Sequence, residues 1–133
     1  MFTMKKIYFF LLLTLTSLTS LAEVLTGNCG ADGNNLTYTL DTKTGVLKIE
    51  GSGVMEEYGH YSSEIAQKWY GEYEESKELA PWFGDCSSIK KVELPDGLTC
   101  ISSFAFSFCK NLAAITIPES VTIIGDNAFS NCI

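Results

Sequence analysis

The stretch FGDCSSIKKVELPDGLTCI, residues 83–101, reads in register with FSFCKNLAAITIPESVTII, residues 106–124. The offset is 23 residues, and it recurs in Cys86, Cys109 and Cys132, in Phe83, Phe106 and Phe129, and in Pro95 and Pro118. Apolar positions keep the same phase: Ile89 with Leu112, Val92 with Ile115, Leu94 with Ile117, Leu98 with Val121, and Ile101 with Ile124. A third copy opens at IGDNAFSNC, residues 124–132. Self-similarity at this period is the signature of a stacked array, in which each unit buries its apolar side chains against its neighbours.

Within one unit, Leu112, Ile115 and Ile117 are expected to point inward, with Ala114 and Thr116 outward, and Ile115-Thr116-Ile117 to form a short strand. Pro118, lacking an N–H, would end it. The chain would then turn at Ile124-Gly125-Asp126, and Phe129 would fill the arc opposite the strand. The predicted inward set is Phe83, Cys86, Ile89, Val92, Leu94, Phe106, Cys109, Leu112, Ile115, Ile117, Phe129 and Cys132. Each turn is then one strand plus one short helical or irregular arc. Two full turns and a stub are fewer than a self-sufficient array normally needs.

The segment FAFSFCKNLAAITIPESVTIIGDNAFSNC resembles the BspA-type leucine-rich repeat: an Ala-Phe, a Cys, a Leu, a strand ending in Ile-Pro, then Ser-Val-Thr and Ile-Gly. The resemblance covers Pro81 to Ile133. Upstream, GNCGADGNNLTYTLDTKTGVLKIEGSGVM and APWF resemble the segment that commonly precedes such repeats. Two features depart from the pattern. Cys100 stands where a small polar residue is usual, and Trp82-Phe83 replaces the Ala-Phe pair of the first repeat. The resemblance implies a protein-binding module of a secreted or cell-surface protein, with adhesion to host matrix or to other cells as its role. It also implies a contact surface on the outward strand face: Lys91 and Glu93 on one strand, Ala114 and Thr116 on the next.

An array end exposes strand edge and apolar core, so a cap is expected ahead of the repeats. Leu36, Tyr38 and Leu40 alternate with Thr37 and Thr39, and Leu47 and Ile49 alternate on a returning strand. Asp41-Thr42-Lys43-Thr44-Gly45 reads as the turn between them, and Gly51-Ser52-Gly53 as the break that ends the hairpin. Glu64 to Leu79 reads as a helix capped by Ser62 or Ser63, with Trp69, Tyr70 and Tyr73 packing on the cap. The fold expected is therefore a β-rich, α+β solenoid. Its parts are a cap region over residues 23–80 and repeats over residues 81–133.

Residues 1–22 have the layout of a secretory signal peptide: Lys5 and Lys6, the apolar run Ile7 to Leu13, and Ser20-Leu21-Ala22 before the cut. The apolar run is short for a membrane span, so stable insertion after cleavage is not expected. Cleavage removes two lysines and leaves seven against sixteen Asp and Glu, a formal charge of −9 without one arginine. Such a chain is a poor partner for nucleic acid or anionic membrane.

Catalytic chemistry finds little footing. His60 is the single histidine, which removes two-histidine metal sites and Cys/His relays that use two. Gly51-Ser52-Gly53 lacks the flanks of a nucleophile elbow. GNCGADG neither follows a strand nor opens a helix, so it is no phosphate loop. Glu56, Glu57, Glu64, Glu72, Glu74, Glu75 and Glu78 spread along a probable helix as a solvated face, where calcium would want a tight converging loop. Asp32-Gly33-Asn34-Asn35 reads as a turn. No enzyme activity, cofactor or metal is expected. A structural cap without binding of its own is the alternative reading, and a secreted hydrolase or metal protein the weakest. The ladder positions Cys86, Cys109 and Cys132 favour free, buried thiols, because adjacent turns ~4.8 Å apart hold Cβ atoms wider than a disulfide prefers. Whether Cys29 and Cys100 pair is left open.

Overall fold

The computed structural model describes residues 23–59 and 78–132. The leader, His60, most of the predicted helix and its Trp69, Tyr70 and Tyr73 lie outside the described residues. The elements are β1 (Val24–Gly30), β2 (Gly33–Asp41), β3 (Val46–Val54), a 3-10 helix (Phe83–Ser88), β4 (Lys91–Glu93), β5 (Gly97–Ile101) and β6 (Ile123–Ile124). The strands form one open sheet in the order β1-β2-β3-β5-β6, with β4 also pairing β3.

The N-terminal part is a three-stranded antiparallel meander rather than a hairpin. β2 and β3 pair as the alternation of Leu36, Tyr38 and Leu40 with Leu47 and Ile49 requires (Tyr38↔Ile49, Leu40↔Leu47). The Asp41 carboxylate accepts the N–H groups of Lys43 and Thr44 in the connecting turn. β1, unforeseen, adds in register to β2 (Leu25↔Leu40, Gly27↔Tyr38). Its sequence VLTGNCG carries two glycines, which hides it from propensity. Gly27 is a fitted position, since a Cβ there would come within 2.8 Å of the Tyr38 ring.

Gly51-Ser52-Gly53 does not end β3; the strand runs through it to Val54. Gly51 and Gly53 take φ of 115° and 95°, values open to glycine, and so bend the strand without breaking it. The bend lets β3 serve two partners in succession. Val46–Lys48 pairs in parallel with β4, and Ser52–Val54 pairs in parallel with β5. Asn35 holds the corner: its Nδ2 donates to the Ser52 and Val54 carbonyls at 3.0 and 3.1 Å, and its Oδ1 accepts the Asp32 N–H at 3.0 Å. The first repeat thus folds directly onto the meander.

Successive repeats stack at the 23-residue offset. β5 pairs β6 in parallel with Cys100↔Ile123 and Ile101↔Ile124. On the opposite arc, the N–H groups of Phe104, Phe106 and Phe108 donate to the carbonyls of Asp126, Ala128 and Ser130 at 3.1, 2.8 and 2.9 Å. The arc conformation repeats as well. Left-handed φ values fall at Phe104 (58°) and Phe108 (63°), and again at Asn127 (57°) and Asn131 (58°). The turn path is therefore dictated by inter-turn hydrogen bonds and not by side-chain type, since Asn tolerates this region and Phe does so at a cost.

Residues 112–118 form no regular element and have no ladder partner, so Ile115-Thr116-Ile117 is not a strand. Its alternation is a packing pattern: Ile115 and Ile117 lie against the core while Ala114 and Thr116 are exposed. The hydrogen bonds that tie this turn to the one before fall instead at Thr122 N–H to the Thr99 carbonyl and Gly125 N–H to the Ile101 carbonyl.

The aromatic column does not start at the residue that the 23-residue spacing selects. Trp82, not Phe83, occupies it: Trp82 is fully buried and stacks on Phe106 at 5.7 Å, and Phe106 stacks on Phe129 at 5.5 Å. Phe83 opens the 3-10 helix, its N–H is taken by the Ala80 carbonyl, and its ring turns out to meet Phe108 edge-on at 6.2 Å. The backbone donor lost to the arc is replaced by a side chain. Trp82 Nε1 donates to the Ala105 carbonyl at 2.7 Å, where in the next turn Phe106 N–H donates to Ala128. Tyr38 and Tyr58 close on the same indole edge-to-face at 5.4 and 5.8 Å, which joins meander and repeats in one core.

Candidate protein-contact face

The outward side of the sheet is assembled from alternate residues of four strands. Pairings put Thr26 beside Thr39, Thr39 beside Lys48, and Lys48 beside Glu93. A parallel row runs Val24, Asp41, Val46 and Lys91, and a third runs Asn28, Thr37 and Glu50. The intervening residues Leu25, Leu40, Leu47 and Val92 go to the core. Side chains paired across a ladder share a face, so this is one continuous polar surface spanning meander and first repeat.

Both of its lysines are paired with a carboxylate on the same strand. Lys48 Nζ meets Glu50 Oε1 at 2.9 Å, and Lys91 Nζ meets Glu93 Oε1 at 2.9 Å. Hydrogen bonding to Glu50 raises the Lys48 ammonium, and hydrogen bonding to Lys91 lowers the Glu93 carboxyl below its ordinary value. Exposed pairs of this kind add little stability. Their chemical consequence is a face whose two lysines are both paired and whose remaining carboxylate is Asp41.

Of the four residues expected on the contact face, Lys91 and Glu93 sit on β4 and belong to this surface. Ala114 and Thr116 are exposed but lie on the unpaired segment beyond, and no ladder ties them to β4. Thr26, Thr37, Thr39, Lys48 and Glu50 were missed as members of the face. The signal for Thr37 and Thr39 was their alternation with Leu36, Tyr38 and Leu40. Nothing local announced that β3 would pair in parallel with a strand more than forty residues on.

All five cysteines are free thiols. Burial, with some help from Glu56, pushes the Cys29 thiol up to about 12, and burial with the neighbouring Cys132 and Cys86 does the same for Cys109. Burial first, then Glu57, also raises Cys100. None is poised as a thiolate nucleophile. No group of three or more metal-binding side chains occurs among the described residues, and no helix among them is long and apolar enough to cross a membrane.

These thiols predict a pH dependence. Unfolded cysteine ionises near the ordinary 9.0 and the folded Cys29 and Cys109 only near 12, so the unfolded chain loses its protons first. Their contribution is intact below about pH 9 and is lost as pH rises from there toward 12. Urea midpoints at pH 7.5, 9.5 and 10.5 are expected to fall in order, with a shallower fall in Cys109→Ala. Equal midpoints across that range would contradict the buried thiols.

The family model described as "BspA type Leucine rich repeat region (6 copies)" matches residues 80–133. That span begins two residues before Trp82 and takes in the whole stacked array. Residues 80–133 are a BspA-type leucine-rich repeat region. A crystal structure of a leucine-rich repeat protein from Eubacterium ventriosum superimposes with a TM-score of 0.60 at 29% identity, over 83% of this chain. Because the BspA-type region fills less than half of the chain, that overlap extends the likeness into the meander. The chain spans 24% of the length of that protein. No curated protein matches the chain. Leucine-rich repeat regions, the BspA type among them, are generally protein-interaction modules.

Proposed function

We propose that this chain is a protein-binding module of a secreted or cell-surface protein, engaging its partner through the outward sheet face at Lys91 and Glu93 together with the exposed Ala114 and Thr116 of the unpaired segment beyond it, and acting in adhesion to host matrix or to other cells. The observation that carries the reading is the in-register pairing of β4 with β3, which extends the face across the meander to Thr39 and Lys48. The three strands of the meander at ~4.8 Å spacing and ~3.3 Å per residue, with the three-residue β4 along one end, give a face on the order of 450 Å². That is more than half of the ~800 Å² per partner of a specific interface.

Secretion is part of the proposal. The basic, apolar and small-residue order of residues 1–22 supports it, and the sheet starts directly after Ala22. Thr42 donates both its N–H and its hydroxyl to the Glu23 carbonyl at 3.0 Å, so the first residue after the cut is already tied into the fold. Amino-terminal sequencing of the exported protein is expected to begin at Glu23.

The test of binding uses the purified chain against immobilised matrix proteins and intact cells, beside a Thr39→Arg/Lys91→Glu variant. Removing two central contacts of a real interface costs about 2 kcal/mol or more, so binding is expected to weaken at least ~30-fold. Both residues are outward-facing, so the melting temperature is expected to hold. Binding that survives the double change would place the contact elsewhere. Absence of binding to every target would favour the reading of the segment as a structural cap.

A further inference from the structure

β1 ends the sheet on one side and pairs only with β2, so its other edge is open. The phase of that edge is fixed by the Thr42 N–H, which donates to the Glu23 carbonyl at 3.0 Å. Backbone groups alternate along a strand, so Leu25 and Gly27 face β2, while Val24, Thr26 and Asn28 turn their N–H and carbonyl groups away from it. None of these three residues has another backbone partner among the described residues.

Edges of this kind are normally blunted by lysine, by proline or by a charge. VLTGNCG, the whole of β1, contains no charged residue and no proline. Val24 is 57% exposed, and Thr26 and Asn28 are exposed with it. On a chain of net charge −7, this edge is an uncharged template for one more strand.

The same strand of a second copy meets what the edge requires. Antiparallel about a two-fold axis at Thr26, it sets Thr26 opposite Thr26 and Val24 opposite Asn28, so that each pair exchanges two hydrogen bonds. Leu25 falls beside Gly27 of the second copy, where no side chain crowds it, and no charge meets its own image. On the outward side the row Glu93, Lys48, Thr39 and Thr26 runs on into the same row of the second copy, reversed. Four threonines then occupy the middle, a favourable cross-strand pairing. The outward face doubles to on the order of 900 Å², past the ~800 Å² per partner that one copy does not reach.

We infer that the open edge of β1 is the seat of a symmetric dimer, joined strand to strand at Thr26, which makes one continuous contact face from two. Its use in binding rests on the contact face proposed above; the pairing itself does not. An edge contact buries little area, so the dimer depends on concentration.

Sedimentation of the purified protein from about 10 µM to about 1 mM is expected to show a monomer passing to a dimer. Over the same range, amide exchange at Val24, Thr26 and Asn28 should slow at least ~3-fold, with Leu25 and Gly27 unchanged because β2 already holds them. Thr26→Lys sets two ammonium groups face to face across the axis, yet in the single chain its side chain stays in solvent. That variant should remain monomeric at the highest concentration, with Tm unchanged. A monomer throughout, a dimer that leaves the three amides exchanging as before, or a dimer that survives Thr26→Lys would each overturn the inference. So would protection of the three amides only on adding a matrix protein, which would make a foreign strand the occupant. The two readings fail separately. A dimer that binds neither matrix proteins nor cells counts against the contact face alone, and a monomer that binds them counts against the edge alone.

Discussion

Replacing Trp82 with alanine is expected to destabilise the protein by about 3–5 kcal/mol, the range found when a large buried aromatic is truncated. Tm should fall by on the order of 15 °C in a domain of this size. Three losses combine at this position. The stack on Phe106 ends, the edge-to-face contacts of Tyr38 and Tyr58 lose their partner, and the Ala105 carbonyl loses its indole donor. Trp82→Phe helps to separate these effects, because it keeps much of the stacking surface while removing the donor and the rest of the indole. Leaving a buried carbonyl unpaired costs ~1–3 kcal/mol, so this variant should fall between the wild type and the alanine variant. Thermal melts of the three proteins decide the matter. A phenylalanine variant as unstable as alanine would mean that the hydrogen bond, and not the packing, carries the junction.

Gly51→Ala should be nearly as damaging, although it adds a single methyl group. Gly51 has φ of 115°, and a Cβ there would stand 2.1 Å from the Asn35 carbonyl oxygen. The obstacle is backbone in the adjacent strand, so no rotamer change relieves it. Strain at such a φ costs ~1–3 kcal/mol on its own, and parting β2 from β3 adds to that. A loss of about 3 kcal/mol or more is expected from urea unfolding. Gly84→Ala is the control. Nothing lies within 4 Å of its added Cβ and its φ is negative, so the change should be neutral or stabilise by about 0.4–1 kcal/mol. Similar losses at both glycines would contradict the close approach at the β3 corner.

These two sites also mark where sequence reasoning stopped. The 23-residue phase is written in side-chain type, because a stacked turn must put an apolar group at the same angular position as its predecessor. Phe106, Cys109, Ile89 and Leu112 therefore stand out from spacing alone. The β2–β3 pairing was legible for a like reason: alternation of period two on either side of an Asp–Gly turn leaves one register that buries Leu40 against Leu47. Trp82 was misassigned because spacing aligns Phe83 with Phe106, and spacing is blind to which of two adjacent aromatics a 3-10 helix turns inward. Gly51 was misread because glycine weakens a strand as a rule, and only the partner's backbone at 2.1 Å reveals that here glycine is what lets the strand continue.

The contact face divides along the same line. Lys91 and Glu93 were legible as outward residues of a repeat strand. Their adjacency to Lys48 and Thr39 was not, because a parallel pairing between distant segments leaves no local mark on either. By itself, then, the sequence determined the repeat, its period, the inward columns and the alternation of the meander, all of which follow from where apolar side chains recur. Only the tertiary structure decided which strands share a ladder and which aromatic ring fills the first column. Those depend on hydrogen bonds and close approaches between parts of the chain that spacing cannot relate.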